Sequence, residues 1–419
     1  MTTPNGRVKG ILAGLDARMR VTGSKGVWVG WVAATALAGA LVAPAAAGAA
    51  PPPGPCAGFG AKHGRVAAGL EQRAAILRRR GRLAAARDYR ARARWQARLA
   101  RYYEEQARRR PLPRGAAITF NRLLRSPVLR RSFLTGFEQL TPENEMKMER
   151  LQPALGVFRF AEADRMVRFA RRYCKRVRGH TLVYGRQLPR WATDGRLTAG
   201  ELGFEMEWHV RRVVERYAGS VADWDVVNEA IEADGSYTQN VWFNTLGSEY
   251  IERAFRTADD ADPDARLFYN DSGIELPDDP HTVAVRAMVA DLRRRGVPIE
   301  GVGIQNHVST AHHASEAQMA RTIRGFTDLG VKVAITEMDV RLDSPGPPAQ
   351  RLESQRIVYR NSARACRKNP NCTSFSTWGV GDGVSWLGPA AGGLLFDRGY
   401  RQKPAYKAVS RSLGSPRGV

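Results

Sequence analysis

Two glutamates close short apolar runs. Trp224-Asp225-Val226-Val227 leads into Asn228-Glu229, and Val333-Ala334-Ile335-Thr336 leads into Glu337-Met338-Asp339. If each run is a strand, each delivers one carboxylate to the same rim of a sheet. Two carboxylates facing one another support cleavage of a glycosidic bond: one protonates the leaving oxygen while the other stabilises or attacks the anomeric carbon. Neighbouring groups can hold their pKa values apart. Acids at strand ends also serve metals or solubility, and spacing alone does not choose between these uses.

The elements around the pair predict how it is positioned. From residue 115 onward, short β-rich runs alternate with amphipathic helical stretches. Candidate strands are 116–119, 137–140, 177–183, 224–227, 267–269, 301–305, 332–336 and 374–378. Helical stretches lie near 162–174, 201–217, 247–259, 280–295, 315–329 and 351–368, with 403–413 closing the chain. Alternation of this kind implies parallel strands joined by right-handed crossovers, and eight such units close into an α/β (β/α)8, or TIM, barrel. Strands buried on both faces read as short apolar runs, as Val-Gly-Ile and Val-Ala-Ile do here. In that fold, reactive side chains stand where strands end and βα loops begin, which is where Glu229 and Glu337 lie.

The 419 residues accommodate one such barrel and an N-terminal extension. A composition of 43% hydrophobic and 25% charged residues provides for a core and excludes wholesale disorder. The net charge of +24 is concentrated: residues 51–114 hold 17 basic and 4 acidic side chains. Such a segment either attracts polyanions or is a solvated face. No nucleic-acid-binding motif accompanies it, so nucleic acid is not an expected partner.

Residues 1–50 read as a signal peptide. Basic residues up to Lys25 precede an apolar run from Val27 to Val42, followed by small residues 45–50 that offer cleavage sites. Met19 is an alternative start, and an uncleaved membrane anchor is the competing reading. The expected location is therefore extracellular. Pro51 to Pro55 reads as a linker and 65–110 as basic helix, with Pro111 and Pro113 marking a boundary. The expected organisation is a signal at 1–50, a linker and basic helical extension at 51–111, and a catalytic barrel at 112–415. Residues 65–110 could touch an anionic cell envelope, and the protein is expected to act as a monomer. Cysteines 56, 174, 366 and 372 have neither zinc nor redox spacing. Cys366 and Cys372 close a short loop that an exported protein can oxidise, whereas Cys56 and Cys174 have no obvious mate.

Six motifs occur in order: Thr141-Pro142-Glu143-Asn144-Glu145-Met146-Lys147, Arg178-Gly179-His180-Thr181-Leu182-Val183, Trp224 through Glu229, Gly301-Val302-Gly303-Ile304-Gln305-Asn306-His307, Ile335-Thr336-Glu337-Met338-Asp339 and Trp378-Gly379-Val380. Together they closely resemble glycoside hydrolase family 10, the endo-β-1,4-xylanases, over about residues 112–415. The resemblance implies a secreted retaining hydrolase of xylan or a related β-1,4-glycan, with Glu229 as acid/base and Glu337 as nucleophile. His307 and Asp339 would orient the nucleophile. Asn144, Lys147, Trp191, Asn228, Gln305, Trp378 and Trp386 would bind sugar, Asn228 through the 2-hydroxyl. The resemblance also places a disulfide at Cys366 and Cys372. No metal or organic cofactor is implied, since carboxylates and water suffice.

The likeness fails after the third candidate strand. The family usually reads R-G-H-T-L-V-W-H-S-Q there, and the second histidine of that stretch contacts the sugar. This chain has Tyr184-Gly185-Arg186-Gln187, so glycine replaces the imidazole. Met148 also stands where tryptophan is usual. Arg186 is expected either to refill the space or to meet a uronic acid substituent. The competing reading is a weakened family member that binds polysaccharide without hydrolysing it. The complete set Asn228, Glu229, His307, Glu337 and Asp339 weighs against that reading.

Overall fold

The computed structural model describes residues 59–108 and 112–414; the expected signal peptide and proline linker lie outside the described residues. Nine strands form one parallel sheet: β1 (Arg114–Ile118), β2 (Gln139–Pro142), β3 (Arg176–Tyr184), β4 (Asp223–Asn228), β5 (Arg266–Asp271), β6 (Gly301–Ile304), β7 (His307–Ser309), β8 (Lys332–Arg341) and β9 (Cys372–Thr377). Pairing runs from β1 through β6, then β6 to β8, β8 to β9, and β9 back to β1, which closes an eight-stranded barrel. All eight expected strands are present. The three-residue β7 lies outside this ring and pairs with the far end of β8.

The barrel strands are buried along almost their whole length, because helices cover the outside and side chains fill the inside. Trp224, Phe268 and Tyr269 are fully buried there. The expected helices form, including Ala199–Tyr217, whose Thr198 and Glu201 make a reciprocal capping box. Two further helices, Phe120–Arg125 and Pro127–Gly136, connect β1 to β2. Their sequence lacks one long helical period because Ser126 caps and Pro127 opens a new helix in the middle of it.

The basic segment is not one helix but a hairpin, Phe59–Arg79 and Leu83–Arg108, turning at Gly81 with φ +67°. Ala67, Ala74, Ala86 and Ala93 are its buried small residues, two per helix at seven-residue spacing, which lets the helices pack closely. No helix among the described residues is long and apolar enough to cross a membrane.

Cys366 and Cys372 form a disulfide with Cα atoms 5.3 Å apart, tying the helix Pro348–Lys368 to the start of β9. Cys174 is also disulfide-bonded, which corrects the expectation that it lacks a mate; Cys56 lies outside the described residues.

Candidate active site

Strand register builds the site. Tyr184 pairs with Asn228, Asn228 with Asn270, and Asn270 with Gly303, so four adjacent strands place these residues in one layer at the C-terminal rim. A Cβ on Gly303 would stand 2.1 Å from the Asn270 Oδ1. Glycine is therefore what lets Asn270 turn into the barrel. The Asn270 amide donates to Asn228 Oδ1 at 2.8 Å and to Glu337 Oε1 at 2.7 Å, and its own Oδ1 accepts from the Thr336 hydroxyl at 2.7 Å. The sequence reading missed this residue. Its signal was a polar side chain closing the apolar run Leu267-Phe268-Tyr269, as at the other strand ends.

Glu337 is 3% exposed. Besides Asn270, its carboxylate meets His307 Nε2 at 3.3 Å, while His307 Nδ1 lies 3.0 Å from Asp339. Parallel pairing of β7 with β8 sets His307 directly opposite Asp339. Burial opposes charging of this histidine, yet the charges and hydrogen bonds of Asp339 and Glu337 prevail and hold its pKa at about 10. At neutral pH the ring is therefore an imidazolium that donates from both nitrogens, one to each carboxylate. Asp339 thus sustains a charge on the ring as well as its orientation.

Glu229 follows β4 with φ +53°, a left-handed conformation uncommon for a side-chain-bearing residue, and its amide donates to the Asn270 carbonyl at 3.0 Å. This turn presents a half-buried carboxyl group rather than a buried one. Its Oε2 accepts from the Tyr184 hydroxyl at 2.7 Å and its Oε1 from the Gln305 amide at 2.9 Å. Burial and then the adjacent Glu229 charge push the Tyr184 phenol well above its ordinary pKa, so it remains a donor. Tyr184 was read only as part of a departure from the motif; the structure puts it on the acid.

His180 Nδ1 lies 3.1 Å from Asp225 and 3.8 Å from Glu337, and its ring makes an edge contact with Trp378 at 4.9 Å. Asp225 also takes the Arg178 guanidinium. Burial resists ionisation of Asp225, but Arg178 and His180 outweigh it and hold its pKa below the usual carboxylate value.

The other expected sugar contacts divide into groups. Lys147 is buried and donates to Asn144 Oδ1 at 3.3 Å and to Gln187 Oε1. Burial lowers its pKa, against the opposing pull of Glu337, Glu143, Glu149 and Glu229, which places its ammonium within electrostatic reach of both central carboxylates. Gln187, φ +51°, is a second residue the sequence reading passed over.

The tryptophans do not behave alike. Trp386 donates to Asp339 at 2.7 Å while 56% of its surface stays exposed beside His307, as a platform for a flat apolar partner. Trp378 is nearly buried behind the two histidines. Trp191 packs in the core and donates to the Gln152 carbonyl at 2.8 Å; among the described residues no hydrogen bond or ring contact joins it to the central carboxylates.

Asn240 stands against the Gly185 site that Arg186 was expected to refill. A Cβ on Gly185 would lie 2.9 Å from Asn240, whose side chain caps the helix Val241–Leu246. The next turn is tied in by Trp242, whose indole donates to the Tyr184 carbonyl at 2.8 Å. Arg186 is exposed at the rim, near enough that its charge acts on Tyr184.

A buried carboxylate under a cationic histidine, facing a half-buried carboxyl group on neutral donors, suits attack at one side of a bond and proton transfer at the other. The family model for glycosyl hydrolase family 10 matches residues 103–412. The chain belongs to that family. Among its relatives, an endo-1,4-beta-xylanase B of Thermotoga neapolitana is 38% identical over 65% of this chain and 80% of its own length. Endo-1,4-beta-xylanase 2 of Aureobasidium pullulans is 37% identical over 67% and 81%. A solved xylanase 10B of Thermotoga petrophila RKU-1, in complex with xylobiose, superposes with TM-score 0.70 at 36% identity, covering 74% of this chain and 96% of that one. The native xylanase 10B of Thermotoga maritima gives 0.69 at 37%, covering 73% and 95%.

Proposed function

We propose that this family 10 chain is a secreted endo-1,4-β-xylanase that cleaves internal xylosidic bonds with retention of configuration. The observation that carries the reading is the unequal pair: Glu337 sits under cationic His307 and Asn270, whereas Glu229 sits on neutral Tyr184 and Gln305. Glu229, protonated, gives its proton to the leaving glycosidic oxygen as the Glu337 carboxylate bonds to the anomeric carbon and the C–O bond breaks. Water then attacks that carbon, its proton passes to Glu229, and the bond to Glu337 breaks. Two displacements at one carbon restore its configuration.

Asn228 supports the transition state. Its Oδ1 is already engaged by Asn270 and Gln305, which leaves its NH2 to donate to a sugar 2-hydroxyl. Lys147, Asn144 and Gln187 would hold the glycone sugar, and Trp386 would stack on a pyranose face. Arg186 would select carboxylate-bearing decorations, a role tested by comparing plain and glucuronic-acid-decorated xylans; equal turnover on both would sink it. The basic hairpin supports contact with anionic envelope polymers.

The reading is tested by reducing-sugar release from xylan, with Glu337→Ala alongside, and by NMR of the first anomer formed. Activity surviving in the variant would overturn the assignment of Glu337, and a first product of inverted configuration would overturn double displacement. The weakened-binder reading rests on Asn240 crowding Gly185. It gains ground only if the parent protein binds xylan without releasing sugar.

A further inference from the structure

A second charged feature lies away from the catalytic rim. The helix Pro348–Lys368 carries Arg356, Arg360, Arg364 and Lys368 at four-residue spacing, so that the four side chains form a stripe on one face about 18 Å long. With Arg367, and with Arg411 of the neighbouring helix Pro404–Leu413, they line a cleft of about 450 Å³. Six cations meet few acids. Arg356 pairs with Glu353, and Arg364 and Lys368 share Glu316, while Arg360, which makes no ion pair among the described residues, donates to the Asn361 amide oxygen and feels the Glu353 charge at longer range. Among the described residues, Arg367 and Arg411 have no ion pair. Like charges four residues apart weaken a helix, so the stripe is not explained by the stability of the fold.

Its place and lining limit what it could hold. Both helices follow strands whose C-terminal ends form the catalytic rim, so they run back toward the opposite end of the barrel; Arg367 and Lys368 lie just ahead of β9. No large apolar side chain is exposed on either helix, so the cleft has nothing to insert into a lipid surface. No aromatic residue lines it, so it has no stacking surface for nucleic acid bases. Five of the six cations are arginines, whose planar forks match carboxylates.

We propose that this cleft binds a linear polyuronate, a carboxylate-bearing polysaccharide, at a site separate from the catalytic cleft. The enzyme would then be held to acidic matrix polysaccharide by its side and base while its active site stays open to xylan. The binding claim stands without the hydrolase reading, because its readout is affinity and not turnover.

The test uses the full chain, with polygalacturonate as probe and duplex DNA and neutral xylan as comparisons, at about 50 and 500 mM NaCl. The expected result is salt-sensitive binding of polygalacturonate that the variant Arg360→Ser/Arg367→Ser/Arg411→Ser weakens by about tenfold, with thermal melting and xylan hydrolysis unchanged. Unchanged polygalacturonate affinity in that variant would overturn the proposal by assigning the binding to the basic hairpin. Tighter binding of DNA, lost in the same variant, would overturn the choice of occupant. Should the triple variant fail to melt cooperatively, Arg367→Ser/Arg411→Ser, which breaks no ion pair among the described residues, reads the same loss, and unchanged binding there would overturn the proposal equally.

Discussion

Glu337 and Glu229 are the same residue type at the same rim, yet their surroundings differ in burial, in charge and in the kind of donor. Glu337 is buried, and one of its partners is a full positive charge held in place by Asp339. Glu229 is half-buried on a strained turn and meets a phenol and an amide, both neutral. A carboxylate that must remain ionised until it attacks benefits from a fixed cation. One that must gain and lose a proton in each cycle is better served by partners without charge. Under the proposed mechanism, that contrast is how one fold would draw two roles from one side chain.

Replacing the carboxylates breaks the comparison outright. Glu337→Ala should lower kcat on xylan by about 10⁴-fold or more, and Glu229→Ala by about 10²- to 10⁴-fold, measured by reducing-sugar release. A smaller loss for Glu337 than for Glu229 would reverse the roles. Asn270→Ala should cost about 10- to 100-fold in kcat/KM, because its amide bridges Asn228 and a charged oxygen of Glu337. Gly303→Ala should approach the same loss by displacing Asn270, with melting affected less than activity.

His307 sharpens the comparison through pH. Its folded pKa, about 10, lies above its unfolded value of about 6.5, so the stability it contributes is fully present below about pH 6.5 and is lost as pH rises through 10. The melting temperature should therefore fall between pH 7 and 10. His307→Gln should lower it by about 5 °C at pH 7 and flatten that fall. An equally steep fall in the variant would place the titration elsewhere.

The smallest effect belongs to Tyr184→Phe, about fivefold in kcat/KM for one lost hydrogen bond. Its signature is the pH profile: without a donor that favours the ionised carboxylate, the alkaline limb should move to higher pH. A uniform loss with an unmoved profile would make Tyr184 a packing residue only.

Much of this site was legible because strand ends punctuate the chain. Apolar runs closing in Asn228-Glu229 and in Glu337-Met338-Asp339 marked both carboxylates, and the spacing of the runs predicted the barrel. Asn270 and Gln187 escaped because an asparagine after a strand or a glutamine in a loop looks the same in sequence whether it meets only water or, as here, ties Asn228 to Glu337 or Asn144 to Lys147. His307 was found, but its charge was not, since that depends on two carboxylates brought to its two nitrogens. The break at Gly185 was visible in the motif. What stands against it was not, since Asn240 lies 55 residues further along the chain.

Local order along the chain, by itself, determined the eight strands, the longer helices between them and the two glutamates at their ends, because periodicity and strand termini are properties of neighbouring residues. Tertiary structure alone decided that His307 is cationic, that Asn270 ties Asn228 to Glu337, and that Tyr184 rests on Glu229. Those outcomes depend on register and burial, which bring groups from different strands within hydrogen-bonding distance in a medium where charge is costly.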